Sequence, residues 1–174
     1  MIILGIDPGI AIVGYGVINY FGNSFNYITC GAITTAAGER VERRLALIYD
    51  RLNSLIKTYR PEAMAVEELF FNTNQKTAIN VAQARGVVLL SAERAGIPIY
   101  EYTPLQVKQA VVGYGRAEKH QVMEMTKVLL SLNERPKPDD AADALALAIC
   151  HAHNSTSKLA GLNKINPTRR TGGK

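Results

Sequence analysis

The sequence predicts an α/β fold in which a mixed sheet of five strands is flanked by helices. Three strand-like runs come first and are joined by short links, which favours an antiparallel meander. Two further apolar runs lie between helical segments, an arrangement typical of parallel strands. With 174 residues, of which 47% are hydrophobic and 20% are charged, the chain is long enough to form one domain with a proper core.

The strands are read from short runs of apolar and β-branched residues. The first run is wholly apolar, as in a strand buried on both faces, and ends at Asp7, Pro8 and Gly9. Asp7 is either a functional acid or the side chain that holds this turn. Glycines inside the next two runs indicate bulges or close packing. The predicted strands are residues 2–6, 12–19, 25–34, 63–66 and 97–102.

Apolar periodicity and end signals place the helices. The first helix stops at Pro61, and the second is closed by Gly96. Small residues in the second helix permit close contact with another helix, which is one basis for expecting a homodimer. Thr103 and Gln106 match a capping box that opens the third helix. The predicted helices are residues 38–60, 76–95, 104–112, 118–132 and 139–150.

Four acidic residues stand at the end of a predicted strand or at the start of a predicted helix. Asp7 and Glu67 come at the ends of predicted strands. Asp140 and Asp143 lie on one face of the first turn of the last helix. Each acid also has an ordinary explanation, and Glu68 competes with its neighbour because adjacent strand residues point to opposite faces. As a set, carboxylates suit Mg²⁺ or Mn²⁺ rather than zinc, and two such ions about 4 Å apart can promote phosphodiester hydrolysis.

Two lysines and two phenylalanines are candidates for contacts with a nucleic acid. Lys108 and Lys119 could bind a phosphate, and Lys119 stands in the first turn of a helix, where a cation is unfavourable to the helix dipole. Phe70 and Phe71 precede a polar loop. Adjacent aromatic residues more often cover a core, but beside a nucleic-acid site they stack on bases.

The net charge of +5 is concentrated near the end of the chain. Residues 154–174 hold five basic residues and no acidic one, so residues 1–153 form a neutral domain followed by a basic tail that is expected to be mobile. Such a tail is suited to binding a polyanion such as a nucleic acid, and a solubilising or partly disordered terminus explains it nearly as well. No apolar run approaches the ~20 residues of a membrane span, and the two cysteines are far apart. We therefore expect a cytoplasmic protein with no membrane partner.

Six short motifs occur in a fixed order along residues 1–153. They are Ile3-Leu4-Gly5-Ile6-Asp7-Pro8-Gly9; Ala65-Val66-Glu67 with Phe70; Gln83-Ala84-Arg85-Gly86; Gln106-Val107-Lys108-Gln109 through Val112-Gly113; Ala117-Glu118-Lys119; and Asp140-Ala141-Ala142-Asp143-Ala144-Leu145-Ala146. With the order of the strands and helices, these motifs resemble the RNase H-like nucleases, and within them the RuvC family of Holliday-junction resolvases. The basic tail is not covered by this resemblance.

The resemblance implies an RNase H-like mixed sheet and a Mg²⁺-dependent, structure-specific DNA endonuclease. Members of this family act as homodimers that resolve four-way junctions by symmetric paired nicks. They leave 5′-phosphate ends that a ligase can seal, and they prefer a short sequence at the cut. They work beside the RuvA and RuvB branch-migration proteins.

The resemblance also assigns roles to residues. It makes Lys108 and Lys119 the basic residues beside the scissile phosphate and Phe70 the aromatic residue that stacks near the crossover, with Phe71 as a stand-in. It favours Asp140 over Asp139, which is left to cap the helix. The carboxylates that it matches to Mg²⁺, with two ions per site and Mn²⁺ as a substitute, are Asp7, Glu67, Asp140 and Asp143.

Other interpretations stay open from the sequence. One is an ATP-binding domain of the actin and sugar-kinase type, which begins with a similar strand but normally needs a second domain and a longer chain. Another is a junction-binding module without cleavage. Cys150, His151 and His153 suggest a metal cluster, but residues two apart do not face each other on a helix, so we expect a frayed helix end there. His120 is expected at the surface.

Overall fold

The computed structural model describes residues 1–68 and 75–155, with the side chains of 75–77 left out. The described part of the chain forms five strands and five helices in the predicted order. Phe70, Phe71 and residues 156–174 of the predicted basic tail lie outside the described residues. The elements are β1 (Ile2–Asp7), β2 (Ile12–Phe21), β3 (Ser24–Thr34), α1 (Val41–Tyr59), β4 (Ala63–Glu67), α2 (Gln75–Arg94), β5 (Ile99–Tyr102), α3 (Pro104–Val112), α4 (Lys119–Leu129) and α5 (Asp139–Ser155).

The five strands form one mixed sheet in the order β3-β2-β1-β4-β5. The pairs β1–β2 and β2–β3 are antiparallel, and the pairs β1–β4 and β4–β5 are parallel. The predicted sheet of three antiparallel strands followed by two parallel strands is therefore confirmed. Ile6 of β1 lies opposite Val66 of β4, so the next residues, Asp7 and Glu67, end neighbouring strands at the same edge.

Helices cover both faces of the sheet. On one face, α1 and α2 pack over a core of aliphatic residues, and α1 buries Ile48, Leu52 and Ile56 at helical spacing. On the other face, α5 packs across the strands, with α3 and α4 outside it. Because α5 is buried nearly all round, it is the central helix of the fold.

Three glycines let α5 approach the sheet closely. A Cβ atom added at Gly14 would lie 2.0 Å from the backbone oxygen of Asp140, and one at Gly5 would lie 1.9 Å from the oxygen of Ala144. At Gly16 it would lie 2.7 Å from the side chain of Leu145. Any side chain at these positions would push the helix away, so the close packing expected from the strand glycines is confirmed. The first turn of α5 is thereby fixed over β2, beside the end of β1.

The helix α5 runs to Ser155, beyond its predicted end, so the prediction of a frayed terminus is wrong. His151 is only 2% exposed, and its Nδ1 lies 2.7 Å from the hydroxyl oxygen of Tyr102 on β5. Burial lowers the pKa of His151 to about 4, so the ring is neutral at physiological pH. His153 points elsewhere, with its Nδ1 2.9 Å from the backbone oxygen of Ala110. The two rings therefore anchor α5 to different elements and do not form a metal cluster.

The other boundaries agree with the sequence to within a few residues. The predicted capping box is present. The Thr103 hydroxyl accepts a hydrogen bond from the backbone N–H of Gln106, and the side-chain oxygen of Gln106 accepts one from the backbone N–H of Thr103. His120 is exposed as expected. Cys30 and Cys150 are free thiols. None of the helices in the described ranges is long and apolar enough to cross a membrane.

Candidate active site

The fold brings the four predicted acids to one edge of the sheet. Asp7 and Glu67 end the neighbouring strands β1 and β4, and the first turn of α5 places Asp140 and Asp143 beside them. All four side chains are partly buried. Glu68 is exposed, and its charge acts on Arg85 of α2, so of the two adjacent acids it is Glu67 that joins the cluster.

The carboxylates repel one another strongly. Burial, followed by the negative charges of Glu67, Asp143 and Asp140, raises the pKa of Asp7 to about 7, although the charge of Lys119 opposes part of this rise. Burial and the charge of Asp143 also raise the pKa of Glu67, while a hydrogen bond with Asp7 opposes that rise. Below about pH 7, where Asp7 keeps a proton, its carboxyl group can donate this hydrogen bond to Glu67. A site with this excess of negative charge will bind a proton or a cation.

Lys119 supplies part of the missing positive charge. Its Nζ lies 3.0 Å from Oδ2 of Asp143 and 3.6 Å from Oδ2 of Asp139. The hydrogen bond to Asp143 is the main cause that raises the pKa of Lys119. The acids on the first turn of α5 thus offset the unfavourable position of this cation at the start of α4.

The prediction that Asp139 caps the last helix needs correction. The helix α5 already begins at Asp139, so this residue is the first helical position and not the one before it. Its carboxylate faces Lys119 of α4. The contact with a second helix, which spacing along one helix could not indicate, determines the direction of this side chain.

A small cleft of about 180 Å³ opens beside the acids. Lys108 of α3 reaches the same cleft as Lys119, so both predicted lysines stand next to Glu67 and Asp143. Within residues 1–68 and 75–155, Lys108 has no ion-pair partner, which leaves its charge available to a ligand. The rest of the cleft is lined by Pro104, Val107, Val122, Ala146 and Leu147.

The chemistry of the donor set fits a hard divalent cation. The four carboxylates offer only oxygen ligands, and burial and mutual repulsion raise the pKa values of Asp7, Glu67 and Asp143. As placed, no three acidic, histidine or cysteine side chains of the described residues converge closely enough to share one ion. Instead, the ammonium group of Lys119 forms an ion pair with one of these carboxylates, that of Asp143.

Comparison with known proteins establishes the family. Residues 3–151 match the family model described as crossover junction endodeoxyribonuclease RuvC. The chain belongs to the RuvC family. It is an enzyme, a crossover junction endodeoxyribonuclease, and its sheet is the RNase H-like fold that the sequence predicts. RuvC membership also implies a metal-dependent nuclease.

Individual RuvC proteins are similar over most of their length. The RuvC of Caldanaerobacter subterraneus subsp. tengcongensis is 60% identical over 155 residues, which cover 89% of this chain and 94% of that protein. The RuvC of Clostridioides difficile is 57% identical over 175 residues and covers 100% of this chain and 99% of its own. Thermus thermophilus RuvC in complex with Holliday junction substrate is 38% identical, with a TM-score of 0.82, and covers 89% of this chain and 95% of its own.

Sequence reasoning missed two contacts of this RuvC chain. It did not pair Lys119 with the acids of α5, although the unfavourable helix position of this lysine was a signal. It also did not pair Arg85 of α2 with Glu101 of β5, which forms an ion pair. Each pair joins two consecutive elements, α2 with β5 and α4 with α5, across the loop between them.

Proposed function

We propose that this RuvC-family chain resolves four-way DNA junctions by Mg²⁺-dependent, symmetric paired nicks that leave ligatable 5′-phosphate ends. The observation that carries the proposal is the gathering of Asp7, Glu67, Asp140 and Asp143 at one edge of the sheet, with raised pKa values for three of them. The Thermus thermophilus relative bound to its Holliday junction substrate supports the choice of DNA.

The four acids would hold Mg²⁺, with one or two ions per site and Mn²⁺ as a substitute. Bound Mg²⁺ supplies Lewis-acid stabilisation of the phosphodiester oxygens and makes a water molecule more acidic. Asp7, which retains a proton near neutral pH when no cation is present, becomes fully ionised as a ligand. Lys108 and Lys119, on the wall of the cleft beside the acids, neutralise the charge of the scissile phosphate.

Further contacts with the junction come from outside the described residues. Phe70, or Phe71 in its place, stacks on a base near the crossover, as the family resemblance implies, and β4 ends at the acid Glu67 three residues before Phe70. The basic residues of the tail add contacts with phosphates that carry no sequence information. We further propose that the protein works with RuvA and RuvB in the bacterial cytoplasm, as the family resemblance implies.

The proposed homodimer uses an exposed face of α2. On this face Ile79 is 60% exposed and Leu90 is 50% exposed. Gly86 lies between them on the same face, and a Cβ atom there would meet nothing within 4 Å. Exposed aliphatic residues around a small residue favour packing against another helix. Two copies joined in this way would present two sites to two opposed strands.

A cleavage assay tests the main proposal. A synthetic four-way junction and a plain duplex, each end-labelled, are incubated with the wild-type protein and with Asp7→Asn, with and without Mg²⁺. We expect paired nicks in the junction only, and a loss of at least about 100-fold in Asp7→Asn, because several kcal/mol of charge stabilisation depend on the metal. The exposed Asp50→Asn on α1 serves as the matched control.

The outcomes separate the competing functions. Nicking by Asp7→Asn at the wild-type rate would refute the proposed site. Tight junction binding without product in the wild-type protein would indicate a binding module, and micromolar ATP binding by calorimetry would favour the actin-like interpretation. For the dimer, light scattering should give twice the mass of the chain for the wild type and a monomer for Leu90→Lys. A wild-type monomer at micromolar concentration would contradict the dimer.

A further inference from the structure

Lys119 bridges two carboxylates that lie one turn apart on α5. Its Nζ is 3.0 Å from Oδ2 of Asp143 and 3.6 Å from Oδ2 of Asp139. Positions four residues apart on a helix share one face, so a single ammonium group from α4 reaches both. At the base of the lysine, Glu118 and Gln121 form a capping box that fixes the backbone. Any movement of the ammonium group is therefore a movement of the side chain alone.

The two carboxylates differ in position. The Asp143 side chain is 35% exposed and lines the cleft with Glu67 and Lys108. The Asp139 side chain is 64% exposed and is not part of the cleft lining. Lys119 therefore has an inner partner among the acids and an outer partner at the rim, and it can move between them without losing an ion pair.

The inner partner is also a proposed metal ligand. An ammonium group and a divalent cation at the same carboxylate of Asp143 repel each other, so binding of the metal displaces Lys119. If Asp143 were the only partner of Lys119, the displaced ammonium group would lose its hydrogen bond and its counter-charge. Asp139 already provides a counter-charge 3.6 Å away at the rim, and a small movement of Nζ toward its Oδ2 would supply the hydrogen bond as well.

We propose that Asp139 is a positioning residue that receives Lys119 when a divalent cation takes Asp143. The inference rests on the proposed function, because it needs the metal at the acidic cluster. Asp139 lies outside the cleft lining and is not one of the four proposed metal ligands. It lowers the cost of displacing Lys119 and holds the ammonium group at the rim of the cleft.

The test measures Mn²⁺ binding without DNA, by electron paramagnetic resonance of the free ion, in a double-mutant cycle. We expect Asp139→Asn to weaken Mn²⁺ binding about threefold to fivefold, the range that a half-exposed ion pair supports. In a Lys119→Met background the same substitution should change binding by less than about 1.5-fold. Asp139→Glu, which keeps the charge, should restore wild-type binding.

Two results would overturn the inference. If Asp139→Asn weakens Mn²⁺ binding equally with and without Lys119, Asp139 acts only as a distant charge on the metal. If it has no effect in the presence of Lys119, the outer partner is irrelevant. Asp143→Asn distinguishes failure of the proposed function, because unchanged Mn²⁺ binding in that variant would mean that the metal site lies elsewhere.

Discussion

Replacing Asp7 by Asn should stabilise the metal-free protein above neutral pH while it abolishes cleavage. Asn has the shape of a neutral carboxylic acid and can still donate a hydrogen bond to Glu67. The substitution therefore removes the charge that burial and three neighbouring acids make unfavourable, and it keeps the packing at the end of β1. Active-site groups that oppose folding in this way are a known source of conflict between stability and activity.

The magnitude follows from the pKa of Asp7, which rises from 3.8 to about 7 on folding. A shift of about three units corresponds to about 4 kcal/mol. Because the folded pKa is the higher one, the folded state binds the proton more tightly, and the free energy of unfolding of the wild type falls as pH rises from about 4 to about 7. In Asp7→Asn this position carries no ionisable group, so the free energy of unfolding does not fall for this reason. It should match the wild type near pH 3.5 and exceed it by about 2–4 kcal/mol at pH 8.

The assay is urea denaturation in EDTA at pH values from 4 to 8, analysed as the difference between variant and wild type. Asp50→Asn is the control and should give a small difference that does not change with pH. A pH-independent difference for Asp7→Asn would refute the reasoning, since the charge would then cost nothing in the folded state. Added Mg²⁺ should stabilise the wild type more than the variant, because the variant has lost a ligand.

Three further predictions concern packing and protonation. Gly14→Ala should lower the free energy of unfolding by about 3 kcal/mol in thermal denaturation, because its Cβ would overlap the backbone of Asp140. Tyr102→Phe should cost about 1–2 kcal/mol by urea denaturation, since it leaves Nδ1 of His151 unpaired. The folded pKa of His151, about 4, lies below its ordinary value of 6.5, so His151→Phe should reduce the loss of stability seen as pH falls from 6.5 to 4.

Most of the fold could be predicted because each element carries its own local signal. Apolar runs gave the strands, periodicity gave α1, and the capping box gave the start of α3. The end of α5 was missed because the spacing of His151 and His153 favours a frayed helix end, whereas the helix continues to Ser155. Only the neighbouring strand explains the burial of His151, since Tyr102 supplies its hydrogen-bond partner.

The residues of the candidate site could be predicted from the sequence, but the contacts between their side chains could not. The placement of Asp7 and Glu67 at strand ends follows from the parallel pairing of β1 and β4, which the order of elements already indicates. The contact of Lys119 with Asp139 and Asp143 depends on how α4 packs beside α5. No local pattern encodes such a packing angle, so the proposal for Asp139 depends on the three-dimensional structure.

The close packing of α5 explains why the acidic cluster remains poised for a cation. Repulsion among the carboxylates would normally be relieved by movement of the helix that carries Asp140 and Asp143. Here α5 is buried nearly all round, and Gly5 and Gly14 hold its backbone against the sheet, so the helix cannot retreat without opening the core. Relief must then come from a proton, from Lys119 or from a metal ion. We therefore expect the rigidity of this helix, as well as the number of acids, to determine the affinity of the proposed metal site.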